Sequence, residues 1–171
     1  GSGGSTPSPI YARLAQADLD WARVTATLVD ERYVPEASPD SNAALLKRAL
    51  LTSPAAVAQF IPLYSPAVTV DRAAALASHT LAAEGRPLDA VLLGMGEDGH
   101  ICSMFPGSPT LTTLLTLSLK PAVYGVPAGR DGAAPPQERL TLNLPWLAGA
   151  RRVVLALSLI HISEPTRPRL I

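Results

Sequence analysis

Residues 94–100 read GMGEDGH and bring three glycines, two carboxylates and an imidazole into seven positions. Glycine takes tight or left-handed turns and lets a ligand come close to the backbone, which suits Gly94, Gly96 and Gly99 to a binding loop. Asp98 and His100 are two residues apart and share one side of an extended backbone. A carboxylate beside an imidazole orients the ring and raises its basicity, making a general base for activating water. The plainer reading is a turn whose histidine is solvated or bonded to backbone. A dinucleotide loop is disfavoured, because Pro106, Gly107 and Pro109 stand where its helix would run.

Three other stretches bear on a site. DER, residues 30–32, closes the apolar run Val24 to Val29. Arg32 has a planar fork suited to phosphate or carboxylate, although charged residues at a strand end also serve as a solvated edge or an ion pair. Arg139, opening ERLTLNL, has the same two readings. The opening GSGGSTP is either a flexible linker or a turn whose small residues expose backbone N–H groups, with Ser5 and Thr6 offering hydroxyls to an anion. Cys102 lacks an activating partner and reads as a packing residue; His79, in an Ala-rich segment, reads as structural or exposed. No spacing resembles a zinc site, so no catalytic metal is expected.

The elements that must position these residues alternate along the chain. SPIYARLAQA places Ile10, Leu14 and Ala17 on one side of a helix. Val24–Val29 reads as a strand, and SNAALLKRALL as a helix capped by Ser41 and stopped by Pro54. DRAAALASHTLAAEG reads as a helix capped by Asp71 and closed by Gly85. LDAVLLG is a buried strand, Pro121 to Pro136 a loop, ERLTLNL a strand, LPWLAGA a short helix and RRVVLAL a last strand. This alternation predicts an α/β, Rossmann-like layered fold with a mainly parallel sheet flanked by helices, incomplete. Ligands gather at the carboxyl ends of such strands, where GSGGST, DER and GMGEDGH would meet.

Bulk properties narrow the partner. The 171 residues suit one domain, and 14 basic against 14 acidic residues leave no net charge to favour nucleic acid, so a bound phosphate would belong to a small molecule. No apolar stretch reaches a membrane span, no leader resembling a signal peptide is visible, and a single cysteine fits a reducing compartment. The expected location is the cytoplasm. Oligomeric state is not legible.

Taken together, GGSTPSPIYARLA, TLVDERYVPEASPDSNAALLKRALL, DAVLLGMGEDGHICSMFPGSP and ERLTLNLPWLAGARRVVLAL resemble the successive motifs of the 6-phosphogluconolactonase family, over residues 1–157. The resemblance implies hydrolysis of 6-phospho-D-glucono-1,5-lactone to 6-phosphogluconate, in the oxidative pentose phosphate pathway and without a cofactor. It makes His100 the base and Asp98 its orienting partner, with amides around Gly96 and Gly99 as oxyanion donors. Ser5, Thr6, Arg32 and Arg139 would hold the phosphate, Gly4 would let the loop come close, and Asp30 would hold a sugar hydroxyl or Arg32. The alternatives are a glucosamine-6-phosphate deaminase-like isomerase and an inactive sugar-phosphate-binding fragment.

The resemblance also makes GGSTP part of a phosphate loop that follows a first strand, so residues 1–7 read as native sequence entered midway. That strand is not in the sequence, and neither is a Gly-and-Lys turn expected after RRVVLAL. Residues 158–171 read as a non-matching tail of foreign sequence.

Overall fold

The computed structural model describes residues 1–67 and 69–157. The tail expected at 158–171, and the turn expected there, lie outside the described residues.

Among the described residues, short β-rich runs form seven strands. β1 (Thr25–Thr27) pairs in parallel with β3 (Gln59–Ile61), and β4 (Val91–Leu93) in parallel with β7 (Val153–Leu155). β2 (Asp30–Arg32) and β5 (Val123–Val126) lie antiparallel on either side of β6 (Arg139–Leu142). The helices are α1 (Ser8–Leu14), α2 (Asn42–Ala49), α3 (Val70–Ala82), α4 (Leu111–Leu115) and α5 (Leu144–Ala148). α3 packs on β5 and β6, α1 packs on α2, and the core includes the fully buried Leu28, Leu46, Leu63, Leu114, Leu140 and Leu142. The α/β layering with parallel pairs flanked by helices is present, and to it is added a three-stranded antiparallel sheet that alternation alone does not indicate.

Several local expectations need correction. The run Val24–Val29 is not one strand. β1 ends at Thr27, and at Val29 the chain changes partners: its N–H donates to Gly1 O at 2.9 Å while its carbonyl accepts from Leu142 N at 2.9 Å. DER is therefore a strand in its own right rather than a strand's charged end. The stretch 121–136 is not all loop, since β5 lies within it. Gly125, which gives that stretch a loop-like look, stands where α3 comes close: a Cβ there would meet the Asp71 carboxylate and Val70.

Caps follow the same pattern of partial agreement. Ser41 caps α2 as expected, its Oγ accepting from Ala44 N at 3.2 Å. α3 is capped by Thr69, whose Oγ1 accepts from Arg72 N at 3.2 Å, and Asp71 sits in its first turn. At α1 the core-facing residues are Tyr11 and, just past the helix at its C-cap, Ala15, not Ile10 and Leu14. Ile10 and Leu14 line an apolar cleft of about 580 Å³ between the facing edges of β1 and β4. Their helical spacing marks a real apolar face, but one opening on this cleft.

β6 is the central strand of the antiparallel sheet, and its Leu142 is fully buried. Leu142→Ala is expected to lower stability by about 2–5 kcal/mol, the usual range for such a cavity, measured by denaturant unfolding.

Candidate active site

Alternation along β2 sends its three charged residues two ways. Asp30 and Arg32 line a cavity of about 610 Å³, while Glu31 points to the opposite side. There the buried Glu31 carboxylate accepts from Asn42 N and Ala43 N at 2.7 Å, Arg32 N at 2.8 Å and the Ser41 hydroxyl at 3.1 Å. Burial pushes its carboxyl above the ordinary value, against the pull of these four donors. The N-terminus of α2 is thereby pinned to β2.

Strand register then sets the cationic wall. Arg32 stands directly opposite Arg139 across the β2–β6 pair. Like charges so placed repel. Burial lowers the Arg139 pKa and the Arg32 charge lowers it further, with Asp30 acting the other way. Arg32 Nη1 donates to Asp40 O at 2.8 Å and to Asn42 Oδ1 at 2.5 Å. Arg139 Nη1 lies 3.9 Å from Asp30 Oδ2, and its guanidinium stands over the Phe105 ring at 5.4 Å. The Nε atoms of both arginines are buried without a partner among the described residues.

Asp30 is thus placed by residues other than the one expected. Its Oδ2 accepts from the buried Ser103 hydroxyl at 2.8 Å, and Arg32 is held by Asn42 and Asp40 instead.

On the other wall, His100 Nδ1 lies 2.5 Å from Asp98 Oδ1, and His100 N donates to the same oxygen at 3.2 Å. This leaves Nε2 as the ring nitrogen for a ligand or water. Slight burial acts to raise the Asp98 carboxyl, but the bonds from the His100 ring and backbone outweigh it and hold it below the ordinary value. The imidazole also stacks on Phe105, with centroids 4.1 Å apart.

The glycines of this turn play parts other than the expected one. Gly96 N donates to His100 O at 2.8 Å and Gly99 N to Gly96 O at 3.0 Å, so both amides are engaged within the turn and neither is free as an oxyanion donor. Gly96 is needed for space, since a Cβ would strike the His100 ring. Gly99 takes φ +82° and does not line the cavity. Cys102 is buried, and burial raises its thiol well above the ordinary value, consistent with packing.

The loop completes the cavity. Gly4 (φ +99°), Ser5 and Thr6 line it, and their N–H groups have no intramolecular acceptor among the described residues. The loop is located from behind: Gly1 O accepts from Val29 N, and Ser2 N donates to Leu92 O at 3.0 Å. Of the sequence-predicted residues, Gly4, Ser5, Thr6, Asp30, Arg32, Gly96, His100 and Arg139 share the cavity. Asp98 stands behind His100, and His79 is exposed.

Sequence reasoning assigned no role to Glu31, Asn42 or Ser103, although Glu31 stands within DER, Asn42 follows a helix cap and Ser103 lies in the stretch after His100. Among the described residues no group of three His, Cys, Asp or Glu side chains could hold a metal ion, and no helix is long and apolar enough to cross a membrane.

Two outcomes are expected. Glu31→Gln turns an NH2 group toward backbone donors and should lower stability by about 1–3 kcal/mol in thermal unfolding. Asp98 should titrate below 3.8 by NMR, and His100→Ala should move its midpoint up. Because the folded-state value is depressed, the contact contributes above the ordinary carboxyl value and is lost as pH falls through the lowered one.

The chain is similar to known proteins along most of its length. A family model described as glucosamine-6-phosphate isomerases/6-phosphogluconolactonase matches residues 2–158. A 6-phosphogluconolactonase of Pseudomonas aeruginosa is 42% identical over 162 residues, covering 91% of this chain and 64% of the relative. One of Rhizobium meliloti is 46% identical over 154 residues, covering 90% and 65%. The chain thus spans just under two thirds of the length of these curated relatives. The crystal structure of a 6-phosphogluconolactonase from Shewanella baltica superposes with a TM-score of 0.80 at 36% identity, covering 90% of this chain and 64% of that one. A monomeric glucosamine-6-phosphate deaminase shares the fold at 18% identity, with a TM-score of 0.65. With the match running through the loop, β2, the 94–100 turn and β6 alike, the chain belongs to the glucosamine-6-phosphate isomerase/6-phosphogluconolactonase family.

Proposed function

We propose that the cavity binds 6-phospho-D-glucono-1,5-lactone and that His100 directs its hydrolysis to 6-phosphogluconate. One observation carries this reading: Arg32 and Arg139 face each other across a strand pair, each with a buried Nε that has no partner among the described residues, in the cavity that also holds an aspartate-oriented imidazole. Two guanidiniums with, among the described residues, only Asp30 beside them in the cavity leave room for an anion, and a phosphate ester supplies one. The free amides of Gly4, Ser5 and Thr6 add donors for it. Relatives named 6-phosphogluconolactonase, similar along nine tenths of this chain, support the choice of sugar phosphate.

Anchoring the phosphate at the arginine end holds the lactone carbonyl near the imidazole. His100 Nε2 takes a proton from water as the water oxygen bonds to C1. The tetrahedral oxyanion collapses, the bond from C1 to the ring oxygen breaks, and the proton passes from the imidazolium to that oxygen. Water is consumed and an open-chain acid is produced, with no redox change. Asp98 holds Nδ1 and stabilises the imidazolium in between. Met95 and Glu97 line the cavity, and their N–H groups have no acceptor among the described residues, so the oxyanion-donor role falls to them. A single buried thiol suits a reducing compartment such as the cytoplasm.

A lactonase assay following 6-phosphogluconate tests the reading. His100→Ala should lower turnover by roughly 100-fold or more, the scale of a lost general base. Arg139→Ala should raise KM by roughly 10-fold or more while leaving kcat less affected, as a lost charged hydrogen bond does. Equal turnover in the His100→Ala variant would overturn the assignment, as would ammonia release from glucosamine 6-phosphate in place of lactone hydrolysis. Binding of 6-phosphogluconate with no lactonase rate would reduce the chain to a sugar-phosphate-binding fragment.

A further inference from the structure

Asn42 is buried in the first turn of α2 and has no part in the chemistry described so far. Both ends of its amide are used. Oδ1 accepts from Arg32 Nη1 at 2.5 Å, and Nδ2 donates to Asp30 O at 3.0 Å. Its amide also lies against the loop, so that any Cβ at Gly3 would collide with it. One side chain therefore touches three walls of the cavity: the loop, the β2 backbone and the guanidinium of Arg32.

The chemical type of this contact matters. Arg32 Nη1 has two oxygen acceptors, Asn42 Oδ1 and Asp40 O, and both are neutral. A guanidinium with one nitrogen held by two acceptors loses its freedom to swing. A carboxylate in the same place would fix it equally well but would cancel its charge and repel an incoming anion. An amide oxygen restrains the group and leaves the charge available, while the amide nitrogen keeps the side chain from turning by its bond to Asp30 O. An aspartate could not make that second bond.

We infer that Asn42 is a positioning residue for the substrate's phosphate: it fixes the Arg32 guanidinium without neutralising it and sets how closely the Gly3–Thr6 loop stands beside it. The inference rests on the phosphate reading of the cavity, and it assigns no contact between Asn42 and the reacting carbonyl.

Calorimetry with inorganic phosphate tests this directly, using the unmodified chain, Asn42→Ala, Asn42→Asp, Arg32→Ala and the double variant Arg32→Ala/Asn42→Ala. Asn42→Ala should weaken phosphate binding roughly 10-fold, the effect of one lost charge-assisted bond. Asn42→Asp, although it keeps the shape, should weaken it further. In the Arg32→Ala background, loss of Asn42 should change affinity by no more than about twofold, because its effect passes through the arginine. A residue that only supports the fold would show the same loss with or without Arg32.

Binding by both Asn42 variants equal to that of the unmodified chain would overturn the inference. So would a full additional loss in the Arg32→Ala background. Should Asn42→Ala fail to fold, Asn42→Asp, alone and combined with Arg32→Ala, carries the same comparison. Failure of the unmodified chain to bind phosphate would instead overturn the phosphate reading, and this inference with it.

Discussion

The buried Glu31 carboxylate, enclosed by three backbone N–H groups and the Ser41 hydroxyl, is the contact on which the rest of the cavity's geometry depends. A buried carboxylate is tolerated only when its oxygens are satisfied, and here the donors come from β2 and from the start of α2. The strand and the helix are therefore locked at one distance and one rotation. Because side chains alternate along β2, fixing Glu31 on one side places Asp30 and Arg32 on the other. The same lock delivers Asn42 to the guanidinium, since Asn42 N is one of the donors. A salt bridge at the surface would not do this, because exposed pairs are weak and loosely oriented.

What the lock produces is locally unfavourable. Arg32 and Arg139 stand opposite each other, and the nearest carboxylate oxygen to Arg139, at 3.9 Å, is beyond hydrogen-bond reach. Asp30 instead takes the Ser103 hydroxyl, which holds it beside the arginines without a direct hydrogen bond to either. The wall keeps positive character in a partly desolvated place, a repulsion that an entering anion relieves on the reading proposed above. Violations of local rules of this kind concentrate at functional sites, where the rest of the fold over-determines them.

The sequence showed those parts of the site that are built locally. Asp98 and His100 are two residues apart, and the turn that joins them closes through bonds from Gly96 to His100 and from Gly99 to Gly96, so the imidazole–carboxylate pair could be read directly. Ser41 could be read as a cap for the same reason. The Arg32–Arg139 pairing could not, because it depends on the register between strands more than a hundred residues apart. Nor could the role of Glu31, which in DER looks like any charged residue at a strand end. β5 was hidden by Gly125, whose missing side chain makes room for α3 but reads as a loop signal. The face of α1 misled for a different reason: Ile10 and Leu14 have true helical spacing, yet periodicity says only that a face is apolar and not what it meets.

The distance between the two ends of the cavity is set by bonds that lie outside it. The 94–100 turn is held on both flanks. Before it, Leu92 O accepts from Ser2 N, and Ser2 O in turn accepts from the Tyr11 hydroxyl at 2.7 Å. After it, Ser103 bonds to Asp30 through its hydroxyl, and its N–H donates to Thr141 Oγ1 at 3.3 Å. The first set ties the imidazole's segment to the Gly3–Thr6 loop. The second ties it to β2 and β6, which present the arginines. Hydrolysis assisted by phosphate binding requires those two ends to keep a fixed separation, since energy gained at one is useful at the other only if the substrate cannot shift between them. On the proposed reading, Ser2, Tyr11, Ser103 and Thr141 serve the chemistry without taking part in the proton transfer: they are the struts that keep the imidazole and the guanidiniums at one spacing.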